Sequence, residues 1–412
     1  MRTPSVVARY YLYEATDTSG FVWPIFTLFL LSRGLTFTEI ATLSATMAVL
    51  VVVGEVPTGY LGDRVGRRNS LVLGRVAAVA SLLGFLVVTT FPGFIVLYAL
   101  WALTFTFASG TEEAWLYDTL DERLDTDQFT RVRGRGRAVG SWAMAATMVA
   151  SGFLYVGNRE WPFVAAAAVG VVSVGVLLTM PEPGRDGDGE GDDPLSVGET
   201  LPVVRDALSR PDVRSLVLYV GLFYGAVSAA DSLIQPIAVD AFDGYLAVLP
   251  AGVGVLPEEA LLGFLYAGFT AVAGVASDNA GQVESALGTT GAVVVVPAVV
   301  AVCYLFPLAA TATAIPVFFV LKAGRAAVAP VAGQFLNDWV ESVGRATTLS
   351  AAAMVFALVR VPLKLLGGWV ADLVGPVAGV AALGVAFLLG GGVLVAVERP
   401  RARRTGLTEH GE

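Results

Sequence analysis

Ionisable side chains interrupt the apolar stretches of this chain, where water cannot easily reach them. The acids are Glu14, Asp17, Glu55, Glu112, Glu113 and Asp231; the bases are Lys322, Arg325, Arg360 and Lys364. A charge at the centre of a hydrocarbon layer costs about 2.5–3.5 kcal/mol on insertion scales, so each should face an aqueous cavity or a partner of opposite sign. Glu14 and Asp17 are one helical turn apart. Lys322 and Arg325 share one helix face, and Arg360 and Lys364 another. Acids in the first half and bases in the second could form two walls of a cavity, one able to carry a proton and one able to hold a charged solute. The competing reading is a set of structural ion pairs. Two close carboxyls share one proton more cheaply than both ionise, so Glu14–Asp17 is the first candidate for a proton-carrying site and Asp231 the second. Glu55, Glu112 and Glu113 read more as structural.

A second constellation is Gly59-Tyr-Leu-Gly62-Asp63-Arg64-Val-Gly66-Arg67-Arg68-Asn-Ser-Leu71. It reads as a tight, glycine-punctuated turn with one carboxylate and three arginines between two apolar segments. Such a turn suits a latch in which ion pairs pin helix ends and can release them. Other chemistries are excluded by what is missing. The one cysteine, Cys303, lies in an apolar run, and the one histidine, His410, in the polar tail. A histidine metal site or a histidine-based triad is therefore not expected, and no phosphate-binding loop of the Walker type is present. A membrane-embedded enzyme is therefore not expected, no cofactor is implied, and no basic patch suggests nucleic acid.

The elements that position these residues are membrane spans. Of 412 residues, 55% are hydrophobic and 15% charged, against about 25% charged in soluble domains; mean hydropathy is +0.71. Twelve spans are expected, near 6–31, 38–62, 70–90, 92–117, 136–156, 161–180, 213–238, 258–277, 285–306, 309–334, 346–370 and 374–397, each long enough for a hydrocarbon core of roughly 30 Å. Domains follow: a six-helix bundle over 1–180, an acidic linker over 181–212, a second bundle over 213–398 and a tail over 399–412. Within the linker, the stretch 184–193 is expected to be disordered. Arginines crowd the loops on one side, leaving Arg33 and Arg159 on the other, which places both termini in the cytosol. Aromatics including Tyr10, Tyr13, Trp23, Trp101, Trp115 and Trp142 are expected at interface belts and lipid-facing surfaces. Small residues Gly263, Ala267 and Ala271 in span eight, with Gly136/Gly140 and Ser141/Ala145 in span five, are expected to let helices approach closely.

The halves echo each other. Gly59-x-x-Gly-Asp63-x-x-Gly66 recurs as Gly274-x-x-Ser-Asp278-x-x-Gly281, Pro24 as Pro236, and Leu116-Tyr-Asp118 as Leu336-Asn-Asp338. Parallel repeats of this kind place a substrate site between halves near the bilayer midplane. With these residues in hand, the chain resembles the major facilitator superfamily, whose loop signature between helices two and three is similar to Gly59–Leu71. Glu55-Val-Pro-Thr-Gly59 and Ser109–Asp118 also look like a drug-efflux-like branch.

The resemblance implies an all-α polytopic fold of two pseudo-symmetric six-helix bundles and transport of a small solute by alternating access. It also implies a charge relay of Asp63 and Arg67 with a carboxylate at the inner end of helix four, which Asp118 is placed to be. The second copy has Asn279 where the first has Arg64, so its latch should be weak. The expected function is secondary active transport, proton-coupled, with efflux favoured, by a monomer in the plasma membrane. Organic-anion or nutrient uptake, sodium symport and a non-transporting membrane sensor are the alternatives.

Overall fold

The computed structural model describes residues 5–123, 126–183, 211–246, 256–339 and 345–405. The acidic stretch 184–193 lies outside the described residues. Those described are helical, with no strand among them. Every expected span coincides with a helix or a pair of helices. Ten segments among the described residues are long and apolar enough to cross a bilayer, and the apolar piece Trp23–Ser32 is shorter.

The chain runs α1 (Ser5–Thr16), α2 (Phe26–Ser32), α3 (Phe37–Val65), α4 (Arg67–Val87), α5 (Phe91–Ala108), α6 (Thr111–Arg123), α7 (Phe129–Gly157) and α8 (Trp161–Thr179). It continues with α9 (Pro211–Ala230), α10 (Ile234–Leu246), α11 (Glu258–Asp278), α12 (Ala280–Leu287), α13 (Thr289–Cys303), α14 (Phe306–Ala309), α15 (Ala314–Trp339), α16 (Arg345–Val374) and α17 (Pro376–Thr405).

Three spans expected to be continuous are broken beside an ionisable candidate. Span one stops at Thr16 and resumes through a 3-10 turn at Trp23–Ile25. Asp17-Thr-Ser-Gly20 offers short polar side chains that compete with the helical ladder, and Gly20 N–H donates to Thr18 Oγ1 at 3.1 Å. Pro24 lacks the N–H that would bond back to residue 20. Span seven is interrupted by a 3-10 turn at Asp231–Leu233, because Pro236 removes the bond to residue 232 and crowds its carbonyl. Span four breaks at Gly110, whose φ of +70° is open to glycine at little cost. The break puts Glu112 and Glu113 in the first turn of α6, where the helix dipole favours acids.

Two compact units result. One comprises residues 1–35, 46–195 and 254–270; the other comprises 36–45, 196–253 and 271–412. In the first, α4 packs on α5 and α8, and α1 on α7 and α8. Its core holds Tyr10, Tyr13 and Trp115, which are 1%, 2% and 1% exposed. These three were expected at membrane-facing surfaces. They are interior because α1 turns its tyrosines towards α6, where Tyr10 stacks on Trp115 with ring centroids 6.3 Å apart and Trp115 Nε1 donates to Pro181 O at 2.9 Å. Trp142, 78% exposed, and Trp23 are exposed as expected.

The small-residue expectation needs a similar correction. Gly136 and Gly140 do not serve α11. A side chain at Gly136 would meet Tyr10, and one at Gly140 would meet Glu14; these glycines make room for α1. Lower on α7, Gly152 approaches the Glu259 backbone, and Gly263 of α11 approaches Met148 O. In the second unit, α9 packs along α16 and α17, and α13 against α15 and α17.

Candidate functional site

The glycine-punctuated turn joins α3 to α4. Gly66 has φ +94°, a region that L side chains rarely adopt, which lets α4 begin one residue after α3 ends. The turn is held by side chains. Arg67 Nη1 lies 2.5 Å from Asp118 Oδ2 on α6. Arg68 donates its backbone N–H to Glu182 Oε1 at 3.2 Å and its Nε lies 3.5 Å from Glu182 Oε2. Asn69 Nδ2 donates to Val65 O at 2.8 Å, and Ser70 Oγ to Gly66 O at 2.9 Å. Arg64 stacks over Tyr60 at 4.3 Å. Gly62 lies close to Ser70 Oγ; Gly59 is in the same turn region of α3, and Asp63 is in its last turn, with a side chain outside the described residues. Glu182 was missed in the sequence because it lies in the linker, far from the turn in chain order. In the second copy Asp278 is exposed at the end of α11, and among the described residues it forms no ion pair.

The first polar cluster lies inside the first unit, on α1, α4, α6 and α7. Asp17 pairs with Arg75 of α4, whose side chain is 12% exposed. Tyr13 hydroxyl donates to Asp17 Oδ2 at 3.2 Å. Tyr10 hydroxyl donates to Glu14 Oε1 at 2.5 Å, and the Glu112 carboxyl lies within electrostatic range of Glu14 and Asp17. Glu113 pairs with Arg133 and, at 3.2 Å, with Arg137. Glu14 and Asp17 are therefore one turn apart but in different company: Asp17 has a cation, and Glu14 has another acid. Arg75 was overlooked; the signal was an arginine inside an otherwise apolar span, which calls for a carboxylate at the same depth.

The second cluster lies inside the second unit, where the break in span seven meets α15 and α16. Asp231 Oδ1 accepts from Lys322 Nζ at 2.7 Å, and Arg325 Nη1 lies 3.9 Å from Asp231 Oδ2. Lys364, 9% exposed, donates to Ser228 O at 3.2 Å, a carbonyl one turn before the 3-10 segment. Arg360 lies within electrostatic range of both Arg325 and Asp231, and its Nε is buried without a hydrogen-bond partner. The four bases gather around one acid, as their helical spacing suggests, with Asp231 supplied by α9's break. Elsewhere in the second unit, Asp372 of α16 caps α3, accepting from Phe37 N at 2.8 Å and Thr38 N at 2.9 Å. That cap could not be read from the sequence, because the partners are over 300 residues apart.

Many apolar helices, with three spans broken beside ionisable residues and a charged turn binding helix ends, define a polytopic membrane protein. The chain belongs to the major facilitator superfamily, whose family model, described as Major Facilitator Superfamily, matches residues 15–257. It is 22% identical over 260 residues to the uncharacterised MFS-type transporter YxaM of Bacillus subtilis (strain 168), an alignment covering 61% of this chain and 60% of that protein. It is 26% identical over 124 residues to the uncharacterised MFS-type transporter MJ1317 of Methanocaldococcus jannaschii, covering 30% of each. The curated relatives are thus matched over less than two thirds of their length. Solved structures share the fold. The nucleoside transporter NupG superposes with a TM-score of 0.78 at 10% identity, covering 96% of this chain and 98% of that one. A D-xylose–proton symporter superposes with a TM-score of 0.64 at 13% identity, covering 94% and 95%.

Proposed function

We propose that this chain is a proton-coupled secondary active transporter that moves a small solute by alternating access, with the Glu14–Glu112 pair as its proton-carrying site. The observation that supports the proposal is the gathering of Glu14 and Glu112, both half-buried, in one polar cluster beside the Asp17–Arg75 pair. Two carboxyls held close in a partly desolvated cluster share one proton more cheaply than both ionise. Tyr10 donates to Glu14 and fixes its orientation. Arg75 holds Asp17 in an ion pair, which favours Glu14–Glu112 over Glu14–Asp17 for this role.

The remaining parts follow the same reading. Asp63, Arg67 and Asp118 form the latch at the α3–α4 turn, supported by the Arg67–Asp118 contact. Residues 1–180 and 213–398 form the two repeated halves, and the arginine bias places both termini in the cytosol beneath a plasma membrane. Export is the direction that the drug-efflux-like segments Glu55–Gly59 and Ser109–Asp118 support.

Infrared difference spectroscopy of purified protein across a pH titration tests the proton site without needing the substrate. A protonated-carboxyl band should appear on acidification and be lost in Glu112→Gln and in Glu14→Gln, while Glu55→Gln keeps it. A band unchanged in both pair variants would remove the proposal's basis. In proteoliposomes, the same two variants should lose flux driven by an imposed pH gradient but keep solute exchange.

A further inference from the structure

The charges around Asp231 do not balance. Lys322, Arg325, Arg360 and Lys364 bring four cations, and Asp231 is the carboxylate that the structure places among them. Lys322 neutralises Asp231 at 2.7 Å. Lys364 is engaged by a carbonyl dipole at 3.2 Å, which satisfies one N–H and leaves its charge in place. Arg325 stands 3.9 Å from Asp231 with a side chain 51% exposed, so the cluster is open on its side. Arg360 lies within electrostatic range of both, with a buried Nε that donates to nothing. Tyr304 on the facing segment has a fully buried hydroxyl, also without a hydrogen-bond partner, within electrostatic range of Asp231 and Arg325. An excess of cations over carboxylates, together with two buried donors that lack an acceptor, is costly unless an anion completes them. Two guanidinium groups are suited to planar, bidentate recognition of an oxyanion.

We propose that the second unit holds a binding site for a small water-soluble organic anion bearing a carboxylate or phosphate group. Arg325 receives the anion from solvent, Arg360 binds it directly, and the Tyr304 hydroxyl adds a neutral donor. Asp231 keeps Lys322 occupied, so the site retains an excess of positive charge without being a sink for any number of anions. This rests on the transport reading for its meaning, as the substrate class of the transporter, but the site is testable without transport. An anionic lipid headgroup has the same chemistry and is separated by the test below.

Thermal unfolding of the full-length protein in lipid-free detergent, at fixed ionic strength, provides the test. Succinate and inorganic phosphate at millimolar concentration should each be compared with equal chloride, and choline used as a cationic control. At least one of the two oxyanions should raise the unfolding temperature in a saturable way, and choline should not. Arg360→Gln should weaken that oxyanion's half-saturation at least about tenfold, the weight of a charge-assisted hydrogen bond. Arg360→Lys should keep part of the response. With a cation removed from an unbalanced cluster, Arg360→Gln should unfold no earlier than the parent when no oxyanion is present. Absence of any saturable oxyanion response overturns the site. So does an identical response in parent and Arg360→Gln, or early unfolding of Arg360→Gln alone, which would mark a structural pairing. A response to phosphatidylglycerol without one to either soluble anion assigns the cluster to lipid and likewise overturns it. Because no gradient enters, a lost proton-driven flux with an intact oxyanion response would refute proton coupling and leave this site standing.

Discussion

The Asp17–Arg75 pair carries a quantitative prediction about how the first unit is held together. Arg75 lies in the middle of α4 and its side chain is 12% exposed, against 32% for Asp17. In Asp17→Asn, Tyr13 still has an acceptor, so the change removes charge and little else. The stranded arginine then costs about 2.5–3.5 kcal/mol on the insertion scale for a cation in a helix centre. Breaking a fully buried pair costs about 3–5 kcal/mol; the one-third exposure of Asp17 lowers the expectation to about 2–3 kcal/mol. Arg75→Met strands the more accessible carboxylate and should cost about the same or slightly less. The double variant strands nothing and should recover most of the loss, giving a coupling energy of about 2 kcal/mol, within the range for residues in direct contact. Equilibrium unfolding in mixed micelles of the parent, both single variants and the double variant measures it. If the double variant's loss equals the sum of the single losses, the two groups do not interact and the argument from charge burial fails.

Three other outcomes are expected. Asp63→Asn should reduce flux much more than Asp278→Asn at matched membrane expression, because the first turn alone retains Arg64, Arg67 and Arg68; equal losses would count against a one-sided latch. Asp372→Ala should speed amide exchange at Phe37 and Thr38 and cost about 0.5–2 kcal/mol, the usual worth of a helix cap; unchanged protection at both amides would show that the cap is not formed in solution. Gly140→Leu should unfold the first unit or expel α1, since a side chain there meets Glu14, whereas Gly134→Ala, with nothing within 4 Å, should be silent; the two thermal melts decide, and similar behaviour would refute the close approach of α1 and α7.

Much of the helix layout could be read from hydropathy, because twenty consecutive apolar residues have few fates other than spanning a bilayer. The α3–α4 turn was equally legible, since Gly66 must accept a positive φ and the arginines around it need acceptors. Legibility ended where pairing depends on depth. Asp17 looked like half of a carboxyl pair with Glu14 because spacing along one helix is visible and depth across helices is not. Arg75 and Glu112 sit on other helices, and their meeting with Asp17 and Glu14 depends on how those helices pack. Span breaks were half visible. Pro24, Pro236 and Gly110 each announced a disturbance, but which residue would lose its helical bond, and therefore that Asp17 and Asp231 would stand at the ends of broken helices, depended on tertiary partners such as Thr147, which lies 3.0 Å from Thr18.

Those breaks change what the first helix of each half is mechanically. An unbroken helix is a rod, and a displacement at one end must appear at the other. Here the ladder that stops at Thr16 resumes at Phe26, and the one that stops at Ala230 passes through a tighter 3-10 turn before Ile234. Bending at either place strains few α-helical hydrogen bonds, so each span is two levers with a joint between them. An acid stands at each joint, tied to a cation on a neighbouring helix. Each joint is therefore held by an ion pair as well as by backbone, so a side-chain substitution at Asp17 or Asp231 acts on the one place where its span is not a continuous rod.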